Sequence, residues 1–469
     1  MKILFATAEA VPFYKTGGLA DVARALPDAL VERGHQVCVI MPGYSFLSAA
    51  TTGATVDREL SVPWPGGPLR ASVARHDSDS GAATAFVLAP EFFDTDRPYD
   101  PLPHDELGLG RRFAFFCRAV TAYAREWGAD VVHLNDWQTG LVPLYALLDA
   151  LEAPTLFSIH NLAYQGNFPP RLLAEIGVPA AFHRVENGLE FHGSASFMKA
   201  ALALADRLAT VSPTYALEIQ TAEYGAGFEG LLTFRRRTLH GVLNGIDTTT
   251  WNPSTDPLLP VRYTARTLAR KAECRAALSE QTGSAADGPL FGMVSRLVYQ
   301  KGIDTLIAAL PALVERGGTV VMLGNGDGGT ERELARIARR YPQRFIIRLG
   351  FDEPLAHLIY AGADFFLMPS LYEPCGLGQM IAQRYGTPPV ARRTGGLNDT
   401  IQDGSTGFLY SDPAPDALLE ATDRAVAAQR RRGWRAMQTR CMQEDHSWTR
   451  SAGDYERLYH LAIGSLAPP

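Results

Sequence analysis

Residues 2–42 read KILFATAEAVPFYKTGGLADVARALPDALVERGHQVCVIMP, and this stretch decides the fold. The run KILFATA has the unbroken apolar character of a buried strand, and HQVCVIMPG predicts a second strand. Between them, apolar residues recur at helical spacing from Leu19 to Leu30, and Gly34 follows as a C-terminal cap. Strand, loop, helix and strand in this order form a βαβ unit. Such a unit predicts a parallel sheet with ligands at the carboxyl ends of its strands.

The second half of the chain repeats this pattern between residues 289 and 329. PLFGMVSRLVYQKG predicts a strand and a loop, IDTLIAALPALVERGG predicts a helix, and TVVMLGNGDGG predicts a strand with a glycine-rich loop. Both helices contain ALP and LVERG in the same order, which indicates two similarly built domains. We therefore predict an α/β protein with two Rossmann-like domains that face a deep cleft.

The segment VLNGIDTTTWNPSTDPLLPVRY separates the two halves and is rich in Asn, Gly, Thr and Pro, as domain linkers are. We predict an N-terminal domain over residues 1–245, which carries the KTGGL loop, and a C-terminal domain over residues 246–450. Residues 451–469 predict an aromatic-bearing helix that packs back on the N-terminal domain.

Composition disfavours several classes of protein. The net charge of −6 over 469 residues provides no positive field for nucleic acid or for an anionic membrane surface. No stretch approaches the roughly 20 apolar residues that are needed to cross a bilayer. The five cysteines form no CxxC pair, and no signal-peptide core follows Lys2, so we expect a cytoplasmic protein. An oligomer is compatible with this sequence.

Lysine is rare in this chain, and two of the five lysines lie in equivalent loops. Lys15 precedes Gly17 and Gly18 where the first strand turns toward its helix, and the matching loop of the second half carries Arg296 and Lys301. Glycines let backbone amides approach a ligand, and a helix N-terminus favours an anion. We expect both loops to meet phosphate, because an ammonium suits one phosphate oxygen and a guanidinium binds two.

The motif YEPCGLGQM places Glu373 before a glycine-flanked turn and a predicted helix. The amides of Gly376, Leu377 and Gly378 would point at an incoming phosphate, and Glu373 would lie within reach of an attached sugar. Cys375 has no histidine partner nearby in sequence, which favours a packed thiol over a nucleophile.

Two further glycine loops follow predicted strands. RTGGLNDT repeats the TGGL of the first loop, so Gly395 and Gly396 can bring backbone amides to the same cleft. LGNGDGG contains Gly324, and this loop either lets a base or ribose lie against backbone or forms a tight turn.

Polar residues also end two strands of the N-terminal half. SIHNLAYQG presents His160 and Asn161, where the histidine is either catalytic or structural. HLNDWQTG presents Asp136 and Trp137, a carboxylate and an aromatic face that suit carbohydrate hydroxyls and C–H surfaces.

One acidic turn offers an alternative source of charge neutralisation. Asp94-Thr95-Asp96 resembles the DxD motif that holds a divalent metal on nucleotide sugars in single-domain transferases. Short acidic turns are common, however, and the cationic loops already supply positive charge. We therefore expect no metal.

Taken together, seven motifs closely resemble those of bacterial glycogen synthase and plant starch synthase: KTGGLADV, HNLAYQG, VLNGID, SRLVYQKG, YAGADFFLMPS, YEPCGLGQ and RTGGLNDT. They appear in that family's order and span about residues 1–460. The resemblance implies the GT-B fold, with the acceptor on the N-terminal domain and the nucleotide-sugar donor on the C-terminal domain. It implies retaining transfer of glucose from ADP-glucose to the non-reducing end of an α-1,4-glucan, glycogen or a malto-oligosaccharide, with release of ADP.

By this resemblance, Lys15 contacts the donor's diphosphate, and no metal or other cofactor is needed. Arg296 and Lys301 neutralise the leaving ADP, while Glu373 holds hydroxyls and stabilises an oxocarbenium-like state. The residues assigned to catalysis are Glu373, Arg296, Lys301, His160 and Asp136. The residues assigned to substrate binding are Lys15, Gly17, Gly18, Asp21, Tyr99, Trp137, Asn161, Asn244, Gly324, Gly350, Phe351, Cys375, Gly376, Leu377, Gly378, Gly395 and Gly396.

The sequence departs from the family pattern at several positions. Gly378 stands where the family usually has Thr or Asn, NDWQ replaces HDWH, and Phe351 replaces a tyrosine in GFDE. Ile381 occupies the position of a second glutamate that many other retaining GT-B enzymes carry. The synthase branch commonly lacks that glutamate too, which favours the narrower assignment.

Three alternative functions can be weighed against the sequence. A related retaining transferase would use UDP-glucose or make sucrose phosphate, and an inactive glucan-binding regulatory protein would keep the fold without the reaction. A phosphorylase would need a lysine for pyridoxal phosphate, and no local motif supports one. Retention itself requires either a covalent glucosyl intermediate or front-face attack guided by the leaving phosphate.

Overall fold

The computed structural model describes residues 1–78, 81–100 and 105–464, and the chain divides into two compact units. Unit 1 comprises Met1–Val211, Ala216–Val242 and Trp448–Pro469, and unit 2 comprises Ser212–Tyr215 and Leu243–Ser447. The main division thus falls between Val242 and Leu243, three residues before the predicted boundary.

The described part of unit 1 forms a nine-stranded sheet in the order β12-β11-β7-β6-β1-β2-β5-β4-β3. Seven strands are parallel, as the βαβ pattern predicts, but β3 and β4 pair antiparallel at one edge, and β4 also runs antiparallel to β5. No sequence pattern predicted this edge hairpin. The strands are β1 Lys2–Ala6, β2 Gln36–Pro42, β3 Thr55–Val62, β4 Leu69–His76, β5 Ala83–Leu88, β6 Val131–Asn135, β7 Thr155–Ile159, β11 Arg207–Thr210 and β12 Leu239–Gly241.

A small antiparallel sheet lies between β7 and β11 in sequence, with β10 in its centre. Its strands are β8 Asn167–Phe168, β9 Glu190–Phe191 and β10 Ser194–Ser196. The helices in the first half of the chain are α1 Gly18–Glu32, α2 Ala49–Thr52, α3 Pro90–Phe93, α4 Gly108–Trp127, α5 Val142–Leu148, α6 Leu172–Glu175, α7 Phe197–Leu204, α8 Pro213–Glu218 and α9 Glu229–Phe234, with 3-10 turns at Trp137–Thr139 and Ala180–Phe182.

Unit 2 contains a six-stranded, all-parallel sheet in the order β15-β14-β13-β16-β17-β18 over its described residues. The strands are β13 Leu290–Val294, β14 Thr319–Gly324, β15 Phe345–Leu349, β16 Phe365–Met368, β17 Pro389–Arg392 and β18 Phe408–Tyr410. The helices are α10 Lys271–Thr282, α11 Ile303–Glu315, α12 Gly328–Arg340, α13 Glu353–Gly362, α14 Gly378–Arg384, α15 Gly395–Thr400, α16 Pro415–Gln429 and α17 Trp434–Gln443, with 3-10 turns at Ala265–Arg270 and Tyr299–Lys301.

The last described helix, α18 Trp448–Gly464, belongs to unit 1 and packs against α1, β6 and β7. The Tyr459 hydroxyl lies 2.8 Å from Nδ1 of the buried His133 on β6, and Glu456 forms an ion pair with Arg33. Apolar burial and these polar contacts together hold the helix on the sheet.

Each large sheet has one point at which its strand order reverses. In unit 1 this switch point lies between β1 and β6, and in unit 2 it lies between β13 and β16. The loops that leave the carboxyl ends of two such strands run in opposite directions and leave a crevice between them, where ligands of open α/β sheets bind. The topology therefore marks one candidate site in each unit.

Candidate active site

At the switch point of unit 2, Lys301 and Glu373 form an ion pair. Lys301 follows β13 and Glu373 follows β16, and the Lys301 Nζ lies 2.9 and 2.6 Å from the two Glu373 carboxylate oxygens. Ser370 Oγ donates a further hydrogen bond of 2.9 Å to Glu373 Oε2. The Glu373 side chain is 5% exposed and that of Lys301 is 16% exposed. Two sequence-predicted residues that are 72 positions apart thus meet at the predicted edge.

The β13 loop can reach the β16 loop only because Gly302 follows Lys301. Gly302 has a φ of 65°, a left-handed conformation that favours glycine, and a Cβ there would lie 1.9 Å from the Pro369 carbonyl oxygen. A side chain at this position would separate the two loops, and Lys301 would be carried away from Glu373.

The TGG sequence in the loop after β17 packs against the segment that contains Glu373. The Gly396 amide donates to the carbonyls of Glu373 and Pro374, at 3.1 and 3.3 Å. A Cβ on Gly395 or Gly396 would lie about 2 Å from the Glu373 or Cys375 carbonyl oxygen, so only glycine allows this packing. Gly395 and Gly396 thus pack against the loop that carries Glu373.

The segment after Glu373 leads into α14. Gly376 has a φ of 75°, Leu377 is the N-cap residue, and Gly378 is the first residue of the helix. Cys375 is buried, and burial raises the pKa of its thiol to about 12, so it carries no thiolate at neutral pH. The backbone amide of Asn244 donates a hydrogen bond toward this sulfur. The buried side-chain Oδ1 of Asn244 has no hydrogen-bond partner among the described residues.

The other predicted residues of unit 2 lie at the carboxyl ends of the neighbouring strands. Arg296 is exposed in the loop after β13, and Gly324 ends β14. Gly350 and Phe351 follow β15, where the Phe351 side chain is 91% exposed. Unit 2 therefore gathers its predicted site residues along one edge of its sheet.

In unit 1, the KTGG loop is organised around a residue that the sequence analysis did not select. Glu9 follows β1, is 3% exposed, and accepts hydrogen bonds from the Thr16 amide and hydroxyl at 2.8 and 2.5 Å. Burial raises the pKa of Glu9, opposed by hydrogen bonds from the backbone amides of Thr16, Gly17 and Ala20. In the sequence, Glu9 is marked only by its position directly after the apolar run KILFATA.

Lys15 points away from this carboxylate. Its Nζ lies 2.7 Å from Asp21 Oδ1 on α1, and the two side chains are 54% and 39% exposed. Exposed pairs of this kind contribute little to stability, so Lys15 can exchange Asp21 for another anion at small cost. Gly17 is the N-cap residue of α1, and Gly18 is its first residue.

Asp136 and His160 end the neighbouring strands β6 and β7. Asp136 Oδ1 accepts the His160 amide at 2.8 Å, and His160 Nε2 lies 2.9 Å from Asn135 Oδ1. Burial raises the pKa of Asp136 to about 7 and lowers the pKa of His160 to about 4. Asp136 also has a φ of 55°, which for a residue other than glycine costs of the order of 1–3 kcal/mol and is typical of functional sites.

Trp137, predicted to bind substrate, is largely buried. The ring is 8% exposed and lies among Phe113, Phe168 and Phe197, and a Cβ on Gly166 would overlap it. Sequence alone does not distinguish a buried aromatic from an exposed one at a strand end.

Two other predicted residues of unit 1 are partly exposed. The Tyr99 ring lies 6.1 Å from the rings of Tyr14 and Phe113. The Asn161 side chain accepts the Ala163 amide. Both are half-buried beside the strand ends.

The acidic turn of the DxD type stays separate from these clusters. Asp94 and Asp96 are exposed, and within residues 1–78, 81–100 and 105–464 no group of three or more His, Cys, Asp or Glu side chains is arranged to hold a metal ion. No described helix is long and apolar enough to cross a membrane.

Comparisons with known proteins agree over the whole chain. The family model of the starch synthase catalytic domain matches residues 2–234, and the model of group 1 glycosyl transferases matches residues 288–428. A glycogen synthase of Anaeromyxobacter dehalogenans (strain 2CP-C) is 47% identical over 485 residues, with 100% of each chain covered.

Solved structures give the same result. The catalytic domain of starch synthase IV from Arabidopsis thaliana, bound to ADP and acarbose, matches with a TM-score of 0.87 and 33% identity over 99% of each chain. A sucrose-phosphate synthase from Thermosynechococcus elongatus matches with a TM-score of 0.63 and 21% identity over 99% of each chain, which shows the fold alone. The predicted α/β, GT-B fold class is confirmed, and the chain belongs to the glycogen synthase and starch synthase family of glycosyltransferases, which elongate glucans.

Proposed function

We propose that this glycosyltransferase transfers glucose from ADP-glucose to the non-reducing end of an α-1,4-glucan, with retention of configuration and release of ADP. The observation that carries the proposal is the Lys301–Glu373 pair at the switch point of unit 2. An ammonium for the departing diphosphate and a carboxylate for the sugar stand there within 3 Å of each other.

The reaction breaks the bond between the anomeric carbon and a phosphate oxygen and forms a bond from that carbon to the acceptor's 4-oxygen. The diphosphate leaves with the bonding electron pair, and the proton of the acceptor hydroxyl passes to a phosphate oxygen of the leaving ADP or to water. Most of the charge that develops lies on the leaving group, so fixed cations supply the largest stabilisation. We assign this work to Lys301 and the exposed Arg296.

Glu373 suits the sugar side of the transition state. Its oxygens already accept hydrogen bonds from Lys301 and Ser370, which weakens the carboxylate as a nucleophile and fixes its position. We assign it to hydroxyl binding and to stabilisation of positive charge on the glucosyl ring. The unpartnered Asn244 Oδ1 and the amides at Gly376–Gly378 are further candidates for donor contacts.

Asp136 and His160 are our candidates for sugar contacts in unit 1. His160 is neutral at pH 7 because its pKa is lowered to about 4. A neutral imidazole and a carboxyl group can both form hydrogen bonds with sugar hydroxyls without bringing a net positive charge.

The proposal includes no metal and no other cofactor, since side-chain cations supply the positive charge. It also places the enzyme in the cytoplasm, because all five cysteines are buried and unpaired, as expected in a reducing compartment. Glycogen or a malto-oligosaccharide would be the acceptor.

The test is incorporation of radiolabelled glucose into glycogen from ADP-glucose and, in parallel, from UDP-glucose. We expect turnover with ADP-glucose, at a rate that chelation of divalent metal does not change. Faster turnover with UDP-glucose would contradict the donor assignment, and a requirement for Mg²⁺ would contradict the cation mechanism.

The control is Glu373→Gln, which keeps the side-chain shape and removes its charge. If wild type incorporates no glucose from either donor, the protein is better described as a glucan-binding member of the family. If wild type is active and Glu373→Gln is equally active, the role assigned to Glu373 is wrong.

A further inference from the structure

The backbone amides at the start of α1 already form hydrogen bonds with an anionic group of the chain. The Glu9 carboxylate accepts hydrogen bonds from the Thr16 amide and hydroxyl, and also from the Gly17 and Ala20 amides. The first turn of a helix favours negative charge, and here the chain supplies that charge itself. A phosphate at this loop would compete with Glu9 for those same donors.

The backbone also fixes Glu9. Thr7 Oγ1 donates to the Glu9 carbonyl at 2.8 Å, and the Val11 amide donates to the Ala20 carbonyl at 3.2 Å. The carboxylate therefore extends from the segment after β1 and holds the last part of the loop, whereas aromatic packing of Phe13 and Tyr14 holds the first part.

What remains accessible in the KTGG loop is the Lys15 ammonium. Among the described residues it pairs with the half-exposed Asp21, while Glu9 holds the next residue, Thr16, in place. The preceding residue, Tyr14, is held by the hydrogen bond that its amide donates to the Ala10 carbonyl. The direction of the Lys15 side chain thus depends on a backbone that Glu9 fixes on its C-terminal side.

We propose that Glu9 is a positioning residue for the donor's diphosphate: its buried carboxylate occupies the start of α1 and holds the loop so that Lys15, rather than the helix amides, contacts the phosphate. This inference rests on the proposed function, in which Lys15 binds the diphosphate of ADP-glucose. In this role Glu9 acts on the diphosphate through Thr16 and Lys15.

The test is a double-mutant cycle of Glu9→Ala and Lys15→Ala, read as kcat/KM for ADP-glucose. If Glu9 acts through Lys15, Glu9→Ala lowers kcat/KM by no more than Lys15→Ala does, that is by up to about tenfold. The double variant then equals Lys15→Ala. The loss appears in KM for ADP-glucose, whereas KM for glycogen does not change. Losses that multiply, or an unaffected KM for ADP-glucose, would overturn the inference.

Glu9→Gln provides a second variant in case Glu9→Ala does not fold. The amide keeps one oxygen for the Thr16 donors and loses the charge, so we expect partial rescue of KM relative to Glu9→Ala. A Glu9→Gln enzyme with the KM of wild type would still support a positioning role through Thr16. A Glu9→Gln enzyme that is as stable as wild type but has the KM defect of Glu9→Ala would overturn that role, because the charge of Glu9 would then be the cause.

Asp206 provides a matched control in the same unit. Its Oδ2 accepts the amide and hydroxyl of one threonine, Thr155, at 2.7 and 2.9 Å, but at the opposite end of the sheet. Asp206→Ala should lower the melting temperature and leave KM for ADP-glucose unchanged. A similar KM change in Asp206→Ala would mean that general destabilisation explains the Glu9 result.

Wild-type turnover separates the two hypotheses. An enzyme that does not use ADP-glucose refutes the proposed function, whereas an active enzyme with independent Glu9 and Lys15 effects refutes only the positioning role.

Discussion

The two switch points have the same topology and different electrostatics. In unit 2, Lys301 reaches from the β13 loop to the β16 loop and neutralises Glu373. In unit 1, Lys15 leaves the β1 loop toward Asp21 on its own helix, and the carboxylate after β6, Asp136, is held by backbone amides alone. The same strand order therefore yields an ion pair in one unit and an unneutralised, buried carboxyl group in the other.

The difference shows which properties the topology sets. Strand order fixes where loops meet, but the side chains of those loops decide the charge at the meeting point. Burial without a cation raises the pKa of Asp136 to about 7, so this group is half-charged near neutral pH. Unit 2 presents positive charge suited to a leaving group, whereas unit 1 presents groups suited to neutral hydroxyls.

The largest effect that tests this contrast is expected for Lys301→Ala. Loss of a preorganised donor to the leaving group should lower kcat by about 10²- to 10³-fold, measured as glucose incorporation at saturating donor. The variant also leaves Glu373 buried without its cation, which costs about 3–5 kcal/mol of stability. Adding Glu373→Gln should restore the melting temperature and not the activity. Recovery of both would show that Lys301 only holds Glu373 in the fold.

Asp136→Asn should change how stability depends on pH. The folded-state pKa of Asp136 is raised to about 7, so the folded protein keeps a proton that the unfolded chain loses near pH 4. Wild-type stability should therefore fall between about pH 4 and 7 through this group, and by an amount of the order of a few kcal/mol.

The asparagine variant lacks this dependence, so the difference between the variant and wild type should grow from pH 5 to pH 8, as measured by urea unfolding at both values. The pKa of His160, lowered to about 4, makes stability fall as the pH drops from about 6.5 toward 4, equally in both proteins, and cancels in the comparison. Parallel pH curves would mean that Asp136 is not desolvated in solution.

Lys15→Ala should separate activity from stability. The Lys15–Asp21 pair is exposed, so we expect at most about 1 kcal/mol of destabilisation, in contrast to Lys301→Ala. KM for ADP-glucose should rise by about tenfold, because one phosphate contact of about 1.4 kcal/mol is lost. A melting temperature lowered as much as in Lys301→Ala would contradict the contrast between the two lysines.

The smallest effect is expected for Asp94→Ala combined with EDTA. Asp94 is exposed and lies outside both clusters, so incorporation from ADP-glucose should match that of untreated wild type. A loss that added Mg²⁺ restores only in wild type would instead identify the acidic turn as a metal site.

The sequence predicted the architecture well because both βαβ units carry clear periodic patterns and a repeated helix motif. It placed Lys301 and Glu373 at strand ends, but it could not predict their pairing, which depends on strand order and on the close approach at Gly302. The edge pair β3 and β4 escaped prediction, since these strands are only partly buried and polar residues interrupt their apolar pattern.

Two single residues show the limit of reading a site from local sequence. No sequence pattern selects Glu9, and only the folded loop brings Thr16 onto its carboxylate. The substrate-binding role of Trp137 stays a prediction, and only the tertiary packing reveals the phenylalanines around its ring. In both cases the decisive contacts join residues that sequence patterns treat separately.

The position of α18 has a consequence for biosynthesis. Because Trp448–Gly464 completes unit 1, all of Leu243–Ser447 leaves the ribosome before the first unit has its last helix. We expect the later-made unit to finish folding first, while the apolar surface that will receive Tyr455 and Tyr459 stays uncovered and depends on chaperones.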